Sequence, residues 1–401
     1  MQTKKNIKIT FTGDIMCEKA MIEHYLKNKM NDFDDIFTYI KDFLLDSDYI
    51  IGNLETPVDD SQKYTNDFFS FNTPSSFLDS LKKLGINYLS ISNNHMLDRG
   101  NRGLKNTLRS LEKKGFQIVG YYSDFSYFTR IKINDFIISL TSCTYGINFN
   151  VHYDKISKKL MKQFLFLKNP NETNTSILNA LKIRWKQKLK KTFIYDLYRI
   201  LRKRKKGTIQ PSIIIDNCNN DWKLEADYIK KINGLLEKEK RNADLVFLYS
   251  HCGGQFNIEP GTFTEKVITL LDKSNYDGYI GSHPHIVQKH MFQCNKIAAY
   301  SLGNFLIYPN SPYLIKETLP TYGILLHLNI NPECPKEYFY TFSITKCILE
   351  HGQVKVILVS DLLKKINHEE KQKLTMDCLN IYNRFMGTNK THINIKNEYK
   401  I

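Results

Sequence analysis

Five apolar runs in this sequence stop at residues able to bind a divalent metal: Asp14, Glu55, Asn94-His95, His251 and the pair His283/His285. Carboxylate, amide oxygen and imidazole form a hard-to-borderline ligand set suited to Mn²⁺, Fe or Zn²⁺, and cysteine is absent from it. The six candidates Asp14, Glu55, Asn94, His251, His283 and His285 suffice for two ions. Paired ions clamp the attacking and leaving oxygens of phosphoryl-type displacements. Singly, each residue has a bland reading. Gly-Asp is a common turn, Glu55 could open a helix, Asn is a good turn residue, and His251 could be a satisfied core histidine. His283-Pro284-His285 is the strongest single signal, because the proline fixes the chain between two imidazoles.

The elements that must position these residues follow from periodicity. Ile7–Thr12, Asp48–Gly52, Ile86–Ser92, Asp244–Ser250, Asp277–Gly281 and Ile297–Leu302 read as strands. Phe33–Leu45, a segment capped at Thr73-Pro74 and stopped by Gly85, Asn101–Lys114, Trp222–Lys240 and Thr264–Lys273 read as helices between them. Phe116–Gly120 and Asp135–Thr141 add further strands. Tyr340–Leu349 and Val354–Val359 read as a hairpin, followed by a helix from about Glu369 to Met386. Alternating strands and helices predict an α/β domain. In such sheets ligands bind beyond the carboxyl ends of the strands, where residues distant in sequence converge.

Several motifs occur in a fixed order: Thr12-Gly13-Asp14, Gly52-Asn53-Leu54-Glu55-Thr56-Pro57, Ser92-Asn93-Asn94-His95-Met96-Leu97-Asp98, His251-Cys252-Gly253-Gly254-Gln255, Gly281-Ser282-His283-Pro284-His285-Ile286-Val287-Gln288 and Tyr300-Ser301-Leu302-Gly303-Asn304-Phe305. This order resembles the capsule-synthesis family named for poly-γ-glutamate biosynthesis (CapA-type), itself similar to the calcineurin-like metallophosphoesterases. The resemblance covers roughly residues 7–145 and 211–310. It implies a four-layer α/β sandwich, two facing mixed sheets flanked by helices. It also implies Asp14 as the first metal carboxylate, Glu55 as the bridging one, and Asn94, His251, His283 and His285 as further ligands. His95 would be the outer histidine that protonates a leaving group or steadies the transition state, with Asp98 orienting it. Asn53, Asn93, Ser301 and Asn304 would lie beside the substrate.

The sequence also departs from these patterns. Met16 stands where phosphoesterases keep a histidine, and Glu55 where they keep aspartate, which weakens or empties one metal position relative to that pattern. Cys252 and Gln255 replace an aromatic and a glutamate usual in the capsule family.

The 401 residues carry a net charge of +16. Lys155 to Lys206 holds 17 Lys/Arg against two acids, a net +15, so one segment supplies nearly all the excess. Residues 151–207 lack the strand–helix rhythm and read as a basic, mainly helical insertion between 1–150 and 208–345, with a C-terminal hairpin strand and helix over 346–401. Within the insertion, Ile183–Lys206 has the spacing of a basic amphipathic helix. It fits an anionic membrane surface or an acidic polymer, and no nucleic-acid motif accompanies it. Eight scattered cysteines without a C-x-x-C pair read as reduced, mostly buried thiols. With no signal peptide and no long apolar run, the expected location is cytoplasmic, peripheral at the inner membrane face if the basic helix docks. The function implied is a metal-dependent hydrolase-like protein acting on an anionic surface polymer or its precursor. The alternatives are a non-catalytic polymer-binding component of an envelope-assembly complex, and a membrane-docked protein whose metal site is structural.

Overall fold

A computed structural model describes residues 6–64, 70–122, 126–148, 157–171 and 222–401. Two mixed sheets face each other. In the first, strand Ile7–Ile15 is central. On one side it pairs in parallel with Tyr49–Leu54, which continues to Tyr88–Ser90 and Gln117–Val119. On the other it pairs antiparallel with Tyr322–Ile330, followed by Tyr338–Glu350 and Gln353–Leu358. The second sheet runs through Thr129–Ile133, Phe136–Thr144, Leu245–His251, Gly278–Ser282, Lys296–Ala299 and His290–Gln293. Its four inner strands are mutually parallel.

Parallel strands covered on both faces must be apolar throughout. Leu245–Tyr249 meets that demand, and the polar Ser250 and His251 that end the strand are buried with it. The space between the sheets is filled by Ile9, Phe11, Ile51, Phe247, Tyr249 and Ile280, joined by Cys378, Ile381 and Phe385 of the C-terminal helix His368–Met386. Phe11 stacks on Phe247 across the gap at 4.9 Å, a contact worth about 0.5–1.5 kcal/mol beyond the area it buries. The Tyr249 hydroxyl lies 3.0 Å from the carbonyls of both Thr12 and Ile51, so it joins the two sheets directly beneath the strand ends. Helices Lys19–Lys27, Ser76–Lys83 and Gly100–Lys113 cover the outer face of the first sheet. Trp222–Lys240 and Thr262–Leu270 cover the second. Helix, sheet, sheet and helix give the four-layer α/β sandwich expected.

Local readings shift in three places. The helix expected over Phe33–Leu45 is a 3₁₀ turn, Asp34–Phe37, and a short helix, Lys41–Leu44. Asp34 is drawn instead to Ser80 and Lys83 of the next helix, each at 2.6 Å. Thr73 does not cap its helix, which begins at Ser76; its hydroxyl binds that of Thr56 at 2.7 Å. The boundary placed between 345 and 346 falls inside the continuous strand Tyr338–Glu350, which makes the hairpin part of the first sheet.

Within the insertion, residues 157–171 are described. Leu165–Phe166 pairs in parallel with Cys143–Thr144 and so extends the second sheet. The amphipathic helix expected over Ile183–Lys206 lies outside the described residues. No disulfide forms among the described cysteines, five of which are buried. Among the described residues no helix is long and apolar enough to cross a membrane.

Candidate metal centre

Both sheets deliver ligands to one place. Asp14 sits in the first strand, where the register slips between Phe11 and Asp14 against Tyr49–Leu54. Such an irregularity re-aims a side chain. The backbone there must also pass close to the turn at Gly303, whose carbonyl accepts from the Asp14 amide at 3.0 Å. A Cβ on Gly13 would lie 2.0 Å from that same oxygen, so only glycine allows the approach. Glu55 follows the second strand and is pinned by its amide to the Ile15 carbonyl at 3.1 Å. Asn94 and His95 follow the third strand in a turn held by Asn93, whose side-chain oxygen accepts from the His95 amide at 3.1 Å.

From the second sheet, His251 is the last residue of its strand. His283 and His285 leave the next strand with φ of 96° and 57°. Left-handed backbone at non-glycine residues costs on the order of 1–3 kcal/mol each and persists only where the surroundings impose it. Here Pro284 stands between the two, and the His283 amide donates to Asp14 Oδ2 at 3.0 Å.

Glu55 is the centre of the arrangement. It is fully buried, and neither carboxylate oxygen has a hydrogen-bond partner. Around Oε1 stand His251 Nε2 at 3.4 Å, His285 Nε2 at 3.8 Å and His95 Nε2 at 3.9 Å. Two buried triads share it, Glu55/His251/His283 and Asp14/Glu55/His285, and the ligand atoms within each lie within 4.8 Å of one another. A buried carboxylate without hydrogen bonds is costly. Ringed by imidazoles, it offers the donor set that a divalent cation satisfies, so these residues fit a metal ion.

Charge follows the same geometry. Burial would raise the Asp14 carboxyl, but bonding and charge from His285 and His251, with Asn53, hold it below the usual range. Burial would lower His285, yet Glu55 and Asp14 lift it to about 9. Burial, with three neighbouring imidazoles, drives His283 well below its ordinary value and keeps it a neutral ligand. His95 is raised: against burial, Asp98 and then Glu55 favour its charged form. Asp98 Oδ2 meets His95 Nδ1 at 2.6 Å and also accepts from the Phe71 amide at 2.7 Å, which orients the imidazole.

Asn94 joins the centre through Oδ1, 2.8 Å from His251 Nε2. Of the four residues expected beside the substrate, Asn53 and Asn304 bond to side chains of candidate ligands, while Asn93 and Ser301 bond to the backbone and amides around them. Asn53 donates to Asp14 at 2.8 Å, and Asn93 donates to Asn53 and to the Leu54 carbonyl. Asn304 receives His285 Nδ1 at 3.1 Å while donating to the His285 carbonyl. Ser301 closes a turn, accepting from the Gly303 amide at 3.2 Å. Each amide already has protein partners, which is why none faces outward. Met16 packs in the apolar cluster under the helices.

Three neighbours escaped the sequence reading. Asn148 places its amide 3.2 Å from both His95 ring nitrogens and accepts from Asn94 at 2.9 Å. The Tyr145 ring packs 4.8 Å from that of His283. Ser282 meets His251 Nδ1 at 2.9 Å. Tyr145 and Asn148 lie just past the strand Phe136–Thr144, so the strand-end rule extended to that strand points to them.

Comparison with known proteins places the chain in a family. Residues 8–308 match the family described as bacterial capsule synthesis protein PGA_cap. Over 311 residues the chain is 25% identical to capsule biosynthesis protein CapA of Bacillus anthracis, covering 76% of this chain and 61% of that protein. Over 302 residues it is 23% identical to PGA biosynthesis protein CapA of Bacillus subtilis (strain 168), covering 75% and 63%. The chain thus spans less than two thirds of either relative. With the family profile spanning most of its length and the motif order intact, the chain belongs to the bacterial capsule synthesis protein family PGA_cap.

Proposed function

We propose that this chain is a metal-dependent, hydrolase-like protein of capsule or poly-γ-glutamate synthesis that acts on an anionic surface polymer or its precursor. The observation that carries the reading is Glu55, a fully buried carboxylate without hydrogen bonds, shared by two ligand triads. Two divalent ions, Mn, Fe or Zn, would be held, one by Asp14, Glu55 and His285, the other by Glu55, His251 and His283 with Asn94 alongside. When bound, they supply Lewis acidity toward a phosphoryl or acyl oxygen. The remaining work falls to the chain. Asp98 grips His95 Nδ1 and favours the protonated ring, which leaves Nε2 directed at the centre with a proton to give a leaving group. Asn148 limits rotation of that ring. The pathway class comes from the relatives, whose names place them in capsule and PGA biosynthesis.

Metal analysis of purified protein, followed by phosphodiester and γ-glutamyl hydrolysis assays, tests the reading. His95→Ala should lose about 10²–10⁴ of the rate. Metal-loaded protein inert on both substrates, with His95→Ala indistinguishable from wild type in cells, would favour the non-catalytic polymer-binding reading. Met16 and Gln255, the departures from the usual patterns, speak for that rival. The charge of residues 155–206 supports a second contact, with an anionic membrane surface at its inner face. Co-sedimentation with anionic vesicles, with and without that segment, decides it.

A further inference from the structure

Beside the metal centre, three strand ends lie in a row. The Tyr145 amide donates to the His251 carbonyl at 3.0 Å, and the Leu167 amide to the Thr144 carbonyl at 2.9 Å. The third end belongs to the start of the basic insertion, where Leu165–Phe166 pairs with the strand that leads to Tyr145. The next residue after Leu167 is Lys168. Its ammonium lies 5.5 Å from the centre of the Tyr145 ring and 6.0 Å from that of Phe263. Among the described residues no carboxylate lies within ion-pair distance of it, and the side chain is half-buried. The other face of this arrangement is the metal centre, since the Tyr145 ring also packs on His283.

We propose that Lys168, seated on Tyr145, forms an anion subsite that holds a carboxylate or phosphate flanking the reacting group of a polyanionic substrate. The inference rests on the reading of the site as one that acts on an anionic polymer. The register places Phe166, two residues before Lys168, two strand spacings from His251, roughly 10 Å, or about three extended residues of a peptide chain. A charge held there belongs to a neighbouring repeat unit and not to the reacting bond. The aromatic faces fix the ammonium without neutralising it. Half-burial strengthens its pull on an anion compared with that of a fully solvated lysine.

The test is binding by the full chain, measured by calorimetry with γ-glutamylglutamate, its carboxamide counterpart and pyrophosphate as probes. The dipeptide and pyrophosphate distinguish carboxylate from phosphate, and the carboxamide reports what remains without charge. Lys168→Glu should weaken the preferred anionic probe about tenfold or more, with metal content and melting temperature unchanged. Lys168→Arg should retain most of the affinity. Lys159→Glu, the same charge change on an exposed lysine of the same segment, should have no effect. Equal binding by wild type and Lys168→Glu, or no preference for the charged probes over the carboxamide, overturns the subsite. Charge-dependent binding through Lys168 in a chain that takes up no metal would instead defeat the hydrolase reading alone.

Discussion

His285 should carry a proton that metal has to displace. Its Nδ1 lies 3.4 Å from Asp14 and its Nε2 3.8 Å from Glu55, and these two side chains lift it from 6.5 to about 9 against the effect of burial. A folded-state value above the unfolded one stabilises the fold fully below pH 6.5, and that contribution disappears as the pH rises through about 9. The difference of about 2.5 pH units, at about 1.4 kcal/mol per unit, gives about 3–4 kcal/mol. Denaturant melts of chelated protein between pH 6 and 10 should therefore show stability falling across that window. The difference between wild type and His285→Gln isolates this residue from His95, which is shifted in the same direction. Metal titrations at pH 7 in buffers of different ionisation enthalpy should register release of about one proton on binding, and none from this group above pH 10. Chelated protein of constant or rising stability from pH 6.5 to 9, with no proton released on metal uptake, would refute the placement of His285 between the two carboxyl groups.

Three further outcomes follow. Asp98→Asn should cost about 10–100-fold in hydrolysis and move the alkaline limb of the pH–rate profile downward, because the His95 ring loses its anionic partner; an unmoved limb would remove Asp98 from the scheme. Gly13→Ala should cost about 3 kcal/mol and weaken metal binding, since its methyl would meet the Gly303 carbonyl at 2.0 Å beside Asp14; thermal melts and metal content check both. His327 lies fully buried between Thr10 at 2.8 Å and Ser343 at 3.0 Å, with burial and then Lys8 holding it well below its ordinary value. Its contribution is intact above about pH 6.5 and declines below it by up to about 1.4 kcal/mol per pH unit, a slope that His327→Gln should flatten in denaturant titrations.

The centre was legible because each candidate ligand follows an apolar run, at the carboxyl end of a strand where residues from different strands meet. Asp14, Glu55, Asn94, His251, His283 and His285 all announce themselves that way. Sheet membership was less visible. Tyr322–Ile330 pairs with the first strand across more than 300 residues of sequence, and nothing local specifies that partner. Thr129–Ile133 alternates exposed and buried positions at a sheet edge and carries Arg130 and Lys132, so it reads as surface. Asn53, Asn93 and Asn304 were expected beside the substrate; their hydrogen bonds depend on neighbours from other strands, which the local sequence does not specify. Lys168 was hidden for a related reason: its importance comes from a two-residue strand added to a sheet edge, not from the charge run around it.

The partition of ligands between the sheets has a temporal consequence. Asp14, Glu55 and Asn94 come from the first sheet, whereas His251, His283 and His285 come from the second, beyond the basic insertion. During synthesis the acids emerge long before these imidazoles, so a nascent chain exposes two carboxylates that cannot yet chelate. Capture of a cation at this centre would have to wait for the second half to dock. An ion held there would act as a late fastener, recording that both halves have met in register.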